Sequence, residues 1–454
     1  MKKSLLWIVV LIFSISMIAA FSLYGCKPVA EEEVAAEEEA VEEEAVEEAE
    51  EEVPPAEVTL TVMIADTDYN DGFKAQIAAM EEELNIKSEV EVIPRAEGDT
   101  VILARLATGE MSDIFGYNTG ALLQTLNPAE NLLDISDQPF TENLTADFKT
   151  SASVGEKLCG IPIAPAMVGG WVYNKNIYEE LGLEIPTTWA ELMDNCEEIK
   201  TAGYTAVLGT FADTWTAQLI LLADYYNVNA LDPEFAANYT ANEAHYADTP
   251  AALRGFEKLE EVYSKDLFNE DSATVTLDEG LRMFAEGEVA HYPMLSFVFG
   301  TISSTYPEAI EFTGMFPQPS DDSNINGITN WGSPGAWYVP SSCEDVENVM
   351  RWMEFMISQE SIDAYATAMQ ISGPLSITGI ELPANTLDVV SDIQKYFDEG
   401  KSSLALEYLS PIKGPNLPQI CVEVGTGIKT ALEGAQAYDL DVVAQAQQLG
   451  LEGW

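Results

Sequence analysis

The chain has 454 residues, with 77 Asp and Glu against 20 Lys and Arg and a formal net charge of −57. Residues 1–57 hold three Lys and fifteen Glu, so most of the acid surplus belongs to the residues from 58 onward. Such a surface repels the phosphates of nucleic acid and of anionic lipid, which excludes a nucleic-acid-binding role.

In chain order, Lys2 and Lys3 precede an uncharged run from Leu5 to Phe21, the layout of a secretory signal. Leu23, Gly25 and Cys26, in "SLYGC", resemble the lipobox of bacterial lipoproteins, where the peptide is cut before the Cys and the thiol carries lipid. Tyr24 departs from that pattern, which favours a smaller residue. The resemblance implies a signal peptide over 1–25 and attachment to a membrane through Cys26. The competing reading is a transmembrane anchor, since the run is nearly long enough to span a bilayer at about 1.5 Å per residue.

Residues 31–52 are fourteen Glu separated only by Ala and Val. One sign of charge and low hydrophobicity leave no core to form, so a disordered, self-repelling tether is expected over 26–57. Pro54 and Pro55 stop any helix, and "VTLTVMIAD" then opens a globular part with an alternating strand pattern.

The remainder is longer than one core normally serves, so two lobes are expected. Strand-like runs ("VTLTVMI", "SEVEVI", "AVLGT", "WYVP") alternate with amphipathic helical ones ("FKAQIAAMEEELN", "TWAELMDNCEEIKTAG", "VENVMRWMEFMISQESIDAYATAM"), which argues an α/β fold. Cys159, Cys196, Cys343 and Cys421 are widely separated, without CxxC or His spacing, so a zinc site is disfavoured. Disulfide pairing and buried free thiols both remain open for them. His245 and His291 are the only histidines and neither sits in a nucleophile motif, so both read as ordinary surface or core residues. No metal and no cofactor is expected.

Four blocks occur in order: "LATGEMSDIFGYN", "GIPIAPAMVGGWVYNKNIYEELGLEIPTTWAELMDNCEEIKTAGYTAVLG", "LRMFAEGEVAHYPMLSF" and "WGSPGAWYVPSSCEDVENVMRWMEFMISQESIDAYA". Together they resemble the extracellular solute-binding proteins of sugar ABC importers, the maltose-binding-protein-like family. That resemblance implies a two-lobed, type II periplasmic-binding-protein (Venus-flytrap) fold, each lobe a mixed sheet flanked by helices. It puts 58–164 and 317–372 in an N-terminal lobe, and 165–316 and 373–454 in a C-terminal lobe. Crossovers are then expected near Ile163–Met167, Met315–Pro319 and Ser372–Pro374, where prolines and glycines suit hinge bending. It further implies a monomeric binder, not an enzyme, which holds a carbohydrate between its lobes and docks on ABC permease subunits.

A pyranose has a polar rim and weakly apolar faces, so its site needs aromatic rings beside Asp, Asn, Glu or Arg. Laid on the family pattern, the candidates are Asp66 and Asp68 in "ADTDYNDG" and Tyr117 and Asn118 in "DIFGYN". Further candidates are Trp171, then Asp213 and Trp215 in "FADTWTAQ", Phe297, and Trp331 and Trp337 from "NWGSPGAW". Trp189 and Trp352 fall at apolar helix positions and read as core. Asp66 and Asp68 also suit a simple turn. Met167 stands where some relatives carry a polar sugar contact, which leaves open a non-sugar solute such as a polyamine, a peptide or a metal chelate. Asp113 is expected to brace a turn, and Thr187 to cap the helix that begins near Trp189.

Overall fold

The computed structural model describes residues 58–454 except Glu452. The signal-like segment, Cys26 and the glutamate stretch lie outside the described residues. Among those described, the strands in chain order are β1 (Val58–Ala65), β2 (Ile86–Ile93), β3 (Ile114–Asn118), β4 (Ser153–Val154), β5 (Lys157–Leu158), β6 (Gly160–Pro162), β7 (Val168–Asn174), β8 (Thr205–Val207), β9 (Val289–Leu295), β10 (Thr313–Phe316), β11 (Ile328–Asn330), β12 (Gly335–Tyr338) and β13 (Ser402–Leu404).

They form two mixed sheets, each with helices around it, and a small β4–β5 hairpin. The first sheet runs β2-β1-β3-β12-β6. In it β1 is parallel to β2 and β3, with Val62 opposite Val90 and Ile114, and β12 is antiparallel to β3 and β6. The second runs β13-β11-β7-β9-β8, and β10 pairs with the latter half of β7. Here β8 is parallel to β9, so both point their carboxyl ends the same way. Successive residues Val62, Met63 and Ile64 are all buried, as are all seven of β7, which means both faces of these strands are covered.

Local signals fix the flanking helices. Asn70 accepts a hydrogen bond from the Phe73 N–H to start the helix Asp71–Leu84, and Asn85 ends it in the left-handed region at φ 55°. The helix Trp189–Ala202 opens on a capping box in which Thr188, not Thr187, is the cap, with Glu191 as its partner. Thr187 donates its N–H and hydroxyl to the same Glu191 carboxylate, so the residue expected to cap supports the box from one position upstream. Asp113 accepts from the N–H and hydroxyl of Thr61 at 2.8 and 2.6 Å, bracing β3 against β1. Trp189 and Trp352 are both in the core.

The chain leaves the first sheet after Pro162 and enters the second at Val168, which makes Ile163–Met167 a crossover. The return differs from the expectation of Met315–Pro319. β10 and β11 both pair with β7, so the chain stays with the second sheet through Asn330 and crosses back only over Trp331–Pro334. The prolines at 317 and 319 do not release the chain because their surroundings are pinned. The Ser320 carbonyl accepts from the Trp189 N–H at 2.7 Å, and the Pro319 carbonyl accepts from Lys258 at 2.7 Å. A further passage lies between the helix Gln359–Ala368, which packs on Asp71–Leu84, and the helix Asp388–Asp398, which packs on β10. Within it, the Pro374 carbonyl accepts from the Ala166 N–H at 2.8 Å, tying this passage to the first crossover.

Candidate functional site

In open α/β sheets, ligands lie beyond the carboxyl ends of parallel strands, and three such ends in the first sheet converge. The loop after β1 carries Asp66 and Asp68, β2 leads into Arg95, and β3 ends on Asn118. Arg95 links all three. Its backbone N–H donates to Asp66 Oδ1 at 3.0 Å, Nη1 to Asp68 Oδ2 at 3.1 Å, and Nη2 to Asn118 Oδ1 at 2.6 Å. Partial burial is the largest influence on Asp68 and raises its pKa above the ordinary value, while the Arg95 charge pulls it down. The side chains of Arg95 and Asp68 remain 46% and 30% exposed, so the pair adds little to stability and much to geometry.

Tyr117 does not join this group. Its side chain is buried beneath the first sheet, with the hydroxyl 3.3 Å from Thr125 Oγ1. Alternation along β3 sends Tyr117 inward and Asn118 outward.

In the second sheet, the segment after β8 carries Asp213 and Trp215, and β9 delivers Phe297 just past its carboxyl end. Trp215 and Phe297 form an aromatic pair with ring centroids 6.1 Å apart and planes tilted by 39°. Trp215 is half-buried, and Phe297 keeps 36% of its surface exposed. An aromatic pair left open at a strand end is the surface on which an amphipathic ring can stack. Asp213 accepts from the Leu277 N–H at 2.7 Å, so one of its oxygens holds the start of the helix Leu277–Ala285.

The other three tryptophans are taken up by packing. Trp171 is fully buried, in contact with Trp189 and Phe316, and its Nε1 donates to Gln318 Oε1. Trp337 is fully buried between Phe73, at 5.0 Å between ring centroids, and Trp352, at 5.2 Å. Trp331 is 6% exposed, donates from Nε1 to Glu407 Oε2 at 3.2 Å, and fills the space where a side chain on residue 169 would go. Gly169 is required there because an added Cβ would lie 2.3 Å from the Trp331 ring.

Just past Asn118, Gly120 and Gln124 line one wall of a cavity of about 250 Å³. Its other walls are Thr150, Ser151 and Ser153 and, beyond β13, the segment Tyr408–Pro411. Hydroxyls, an amide and one phenol ring thus line a common space between the segments that follow β3 and β13 and the stretch leading into the β4–β5 hairpin. A second cavity, of about 30 Å³, sits beside the crossover segments among Ile163, Ile362, Ile371 and Leu375, too small for a polyol.

Among the described residues, no three potential metal-ligating side chains come together. All four cysteines there are free, and Cys159, Cys196 and Cys421 are buried. Burial pushes the Cys159 thiol up to about 11, which removes it from thiolate chemistry near neutral pH. His291 is wholly buried, with Cys196 Sγ 3.6 Å from Nδ1 and an oxygen partner for each ring nitrogen. Nδ1 lies 2.8 Å from the Ala206 carbonyl and so donates, which leaves Nε2 to accept from the Tyr178 hydroxyl at 2.7 Å. His245 is a half-buried surface residue whose Nε2 lies 3.0 Å from Asn242 Oδ1.

Comparison with known proteins agrees with this architecture. A "Multiple sugar-binding protein" of Streptococcus mutans is 22% identical over 312 residues, covering 66% of this chain and 71% of that protein. The apo structure of RafE from Streptococcus pneumoniae superposes with a TM-score of 0.71 at 19% identity, covering 87% of this chain and 99% of that one. The structure of RafE in complex with raffinose gives 0.63 at 20% identity, with coverage of 84% and 98%. These likenesses establish the two-lobed α/β fold. The family described as "Bacterial extracellular solute-binding protein" matches residues 66–362, more than half of the sequence. With that match and this fold, the chain belongs to the bacterial extracellular solute-binding proteins, a family of binders and not of enzymes.

Proposed function

We propose that this chain captures a carbohydrate, as a mono- or oligosaccharide, between its two lobes and delivers it to the permease subunits of an ABC importer. The observation that carries the reading is the division of labour at the strand ends. One sheet presents Asp66, Asp68 and Asn118 as hydrogen-bonding groups, and the other presents the open Trp215–Phe297 pair as a stacking surface. A sugar ring needs both, because its hydroxyl rim must replace its bonds to water while its C–H faces lie against something apolar. The names of the Streptococcus mutans and RafE relatives point to the same class of ligand. A ligand that touches both lobes stabilises the closed arrangement by its differential affinity, which gives the permease a form to recognise.

The chain acts outside the cytoplasm as a monomer, held to a membrane by lipid on Cys26. Mass spectrometry of the mature N terminus tests the anchor, since an uncleaved, unmodified Met1 would rule it out.

Thermal unfolding in the presence of raffinose, a chitin oligosaccharide, galactose or spermidine tests the ligand class. At least one saccharide should raise stability by mass action, by about 2.7 kcal/mol at a hundredfold excess over its dissociation constant. Stabilisation by spermidine with none by any saccharide would contradict the reading.

A further inference from the structure

We infer that Arg95 sets the ligand class of the site: its side chain positions Asp68 and Asn118 for a neutral polyhydroxyl ligand and closes Asp68 to cationic ones. This rests on the carbohydrate reading above. Asp66 and Asp68 stand two residues apart on one loop of a chain with net charge −57, and without a counter-charge they would attract cationic solutes. Arg95 supplies that charge from a different strand end, 27 residues from Asp68 in sequence, with a direct contact to Asp68 of 3.1 Å. Its planar fork also reaches Asn118 at 2.6 Å, so a carboxylate from the loop after β1 and an amide from the end of β3 are held at one spacing by one rigid group. The backbone N–H of the same residue fixes Asp66 at 3.0 Å.

Each carboxylate retains lone pairs to accept from hydroxyls after these bonds are made, whereas an ammonium at Asp68 is repelled by the guanidinium already 3.1 Å from that carboxylate. A lysine would keep the charge but lose the two-point grip, because an ammonium is a compact point charge and not a fork.

The test compares wild type with Arg95→Met and Arg95→Lys by calorimetric titration, using spermidine and whichever of raffinose, a chitin oligosaccharide and galactose binds the wild type. Arg95→Met should weaken the saccharide by about 10- to 100-fold, as expected when charge-assisted contacts that organise a site are lost. It should also bind spermidine about tenfold more tightly than wild type, with an affinity that falls as salt is raised. Arg95→Lys should keep spermidine out yet recover only part of the saccharide affinity. A purely structural role would lower both affinities together or shift the unliganded melting temperature, and would not reverse the preference. Unchanged saccharide affinity in Arg95→Met, or a loss of saccharide without a gain of spermidine, overturns the inference while the carbohydrate reading stands. A wild type that binds none of the saccharides overturns that reading, and this inference with it.

Discussion

Replacing Lys258 by methionine is expected to destabilise the fold by about 3–5 kcal/mol, the cost of leaving a buried charge without its partner. Lys258, on the helix Pro250–Ser264, and Asp224 are each only 1% exposed. The ammonium donates to Asp224 Oδ1 at 2.5 Å and to the Pro319 carbonyl at 2.7 Å, and it lies 5.3 Å from the centroid of the Trp189 ring. Asn227 Nδ2 donates to the same Asp224 oxygen at 2.7 Å. Burial drives the Asp224 pKa up, and the Lys258 charge is the main influence drawing it down. With that charge removed the carboxyl pKa rises further. A raised carboxyl pKa favours the folded state at low pH and loses that contribution as pH rises through it, so the deficit of Lys258→Met should shrink on acidification. Adding Asp224→Asn should recover part of the loss at neutral pH. Urea unfolding measures wild type and both variants, and a Lys258→Met protein within about 1 kcal/mol of wild type would show that water reaches the pair.

Acidification should expose the second large effect, at His291. Burial lowers its pKa from 6.5 to about 4, with the bond to the Ala206 carbonyl opposing the shift. Unfolding returns the ring to water, where it takes up a proton below about pH 6.5. The unfolded state therefore binds more protons between about pH 6.5 and pH 4. The contribution of His291 to stability is full above that window and is lost as pH falls through it, by about 3 kcal/mol in all. The carboxylates of so acidic a chain add their own slope, so the comparison must be with His291→Asn, which keeps a donor near Ala206 and cannot titrate. Its stability should fall less steeply across the window when both proteins are followed by urea unfolding at several pH values. Parallel curves would mean that His291 takes up its proton in the fold at the same pH as in the unfolded chain.

The elements most legible in the sequence were those whose pattern is local. β1 and β2 were legible as strand-like runs and the helix Trp189–Ala202 as an amphipathic one, although its cap was expected one residue early, at Thr187. Asp113, expected to brace a turn, instead ties β3 to β1 through Thr61, a partner 52 residues away in sequence. Tryptophan orientation was not legible. Trp171 and Trp337 lie on strands buried throughout, where alternation carries no information about which face meets solvent. Trp331 was placed at the site with its block "NWGSPGAW", but the glycine that matters is Gly169 on β7, which leaves room for the ring in the core.

Arg95 was missed for the same reason that it matters. Its partners lie 23 to 29 residues away, and nothing within "VIPRAEGD" distinguishes it from a solvated arginine. Placing the carboxyl end of β2 beside those of β1 and β3 would have found it. The second crossover was misplaced because Pro317 and Pro319 look like a hinge in sequence, whereas contacts from Trp189 and Lys258 hold that stretch to the second sheet.

Calorimetric titration of raffinose and the other saccharides into wild type and Trp215→Ala bears most directly on a sugar held against the Trp215–Phe297 pair. Trp215 is only half-buried, so its removal should lower the unliganded melting temperature less than the loss of a fully buried tryptophan would. A saccharide that binds wild type should bind Trp215→Ala about 10- to 100-fold more weakly, the effect of losing about 1–3 kcal/mol of stacking. Equal affinity for the two proteins, or no saccharide binding to either, would contradict the account.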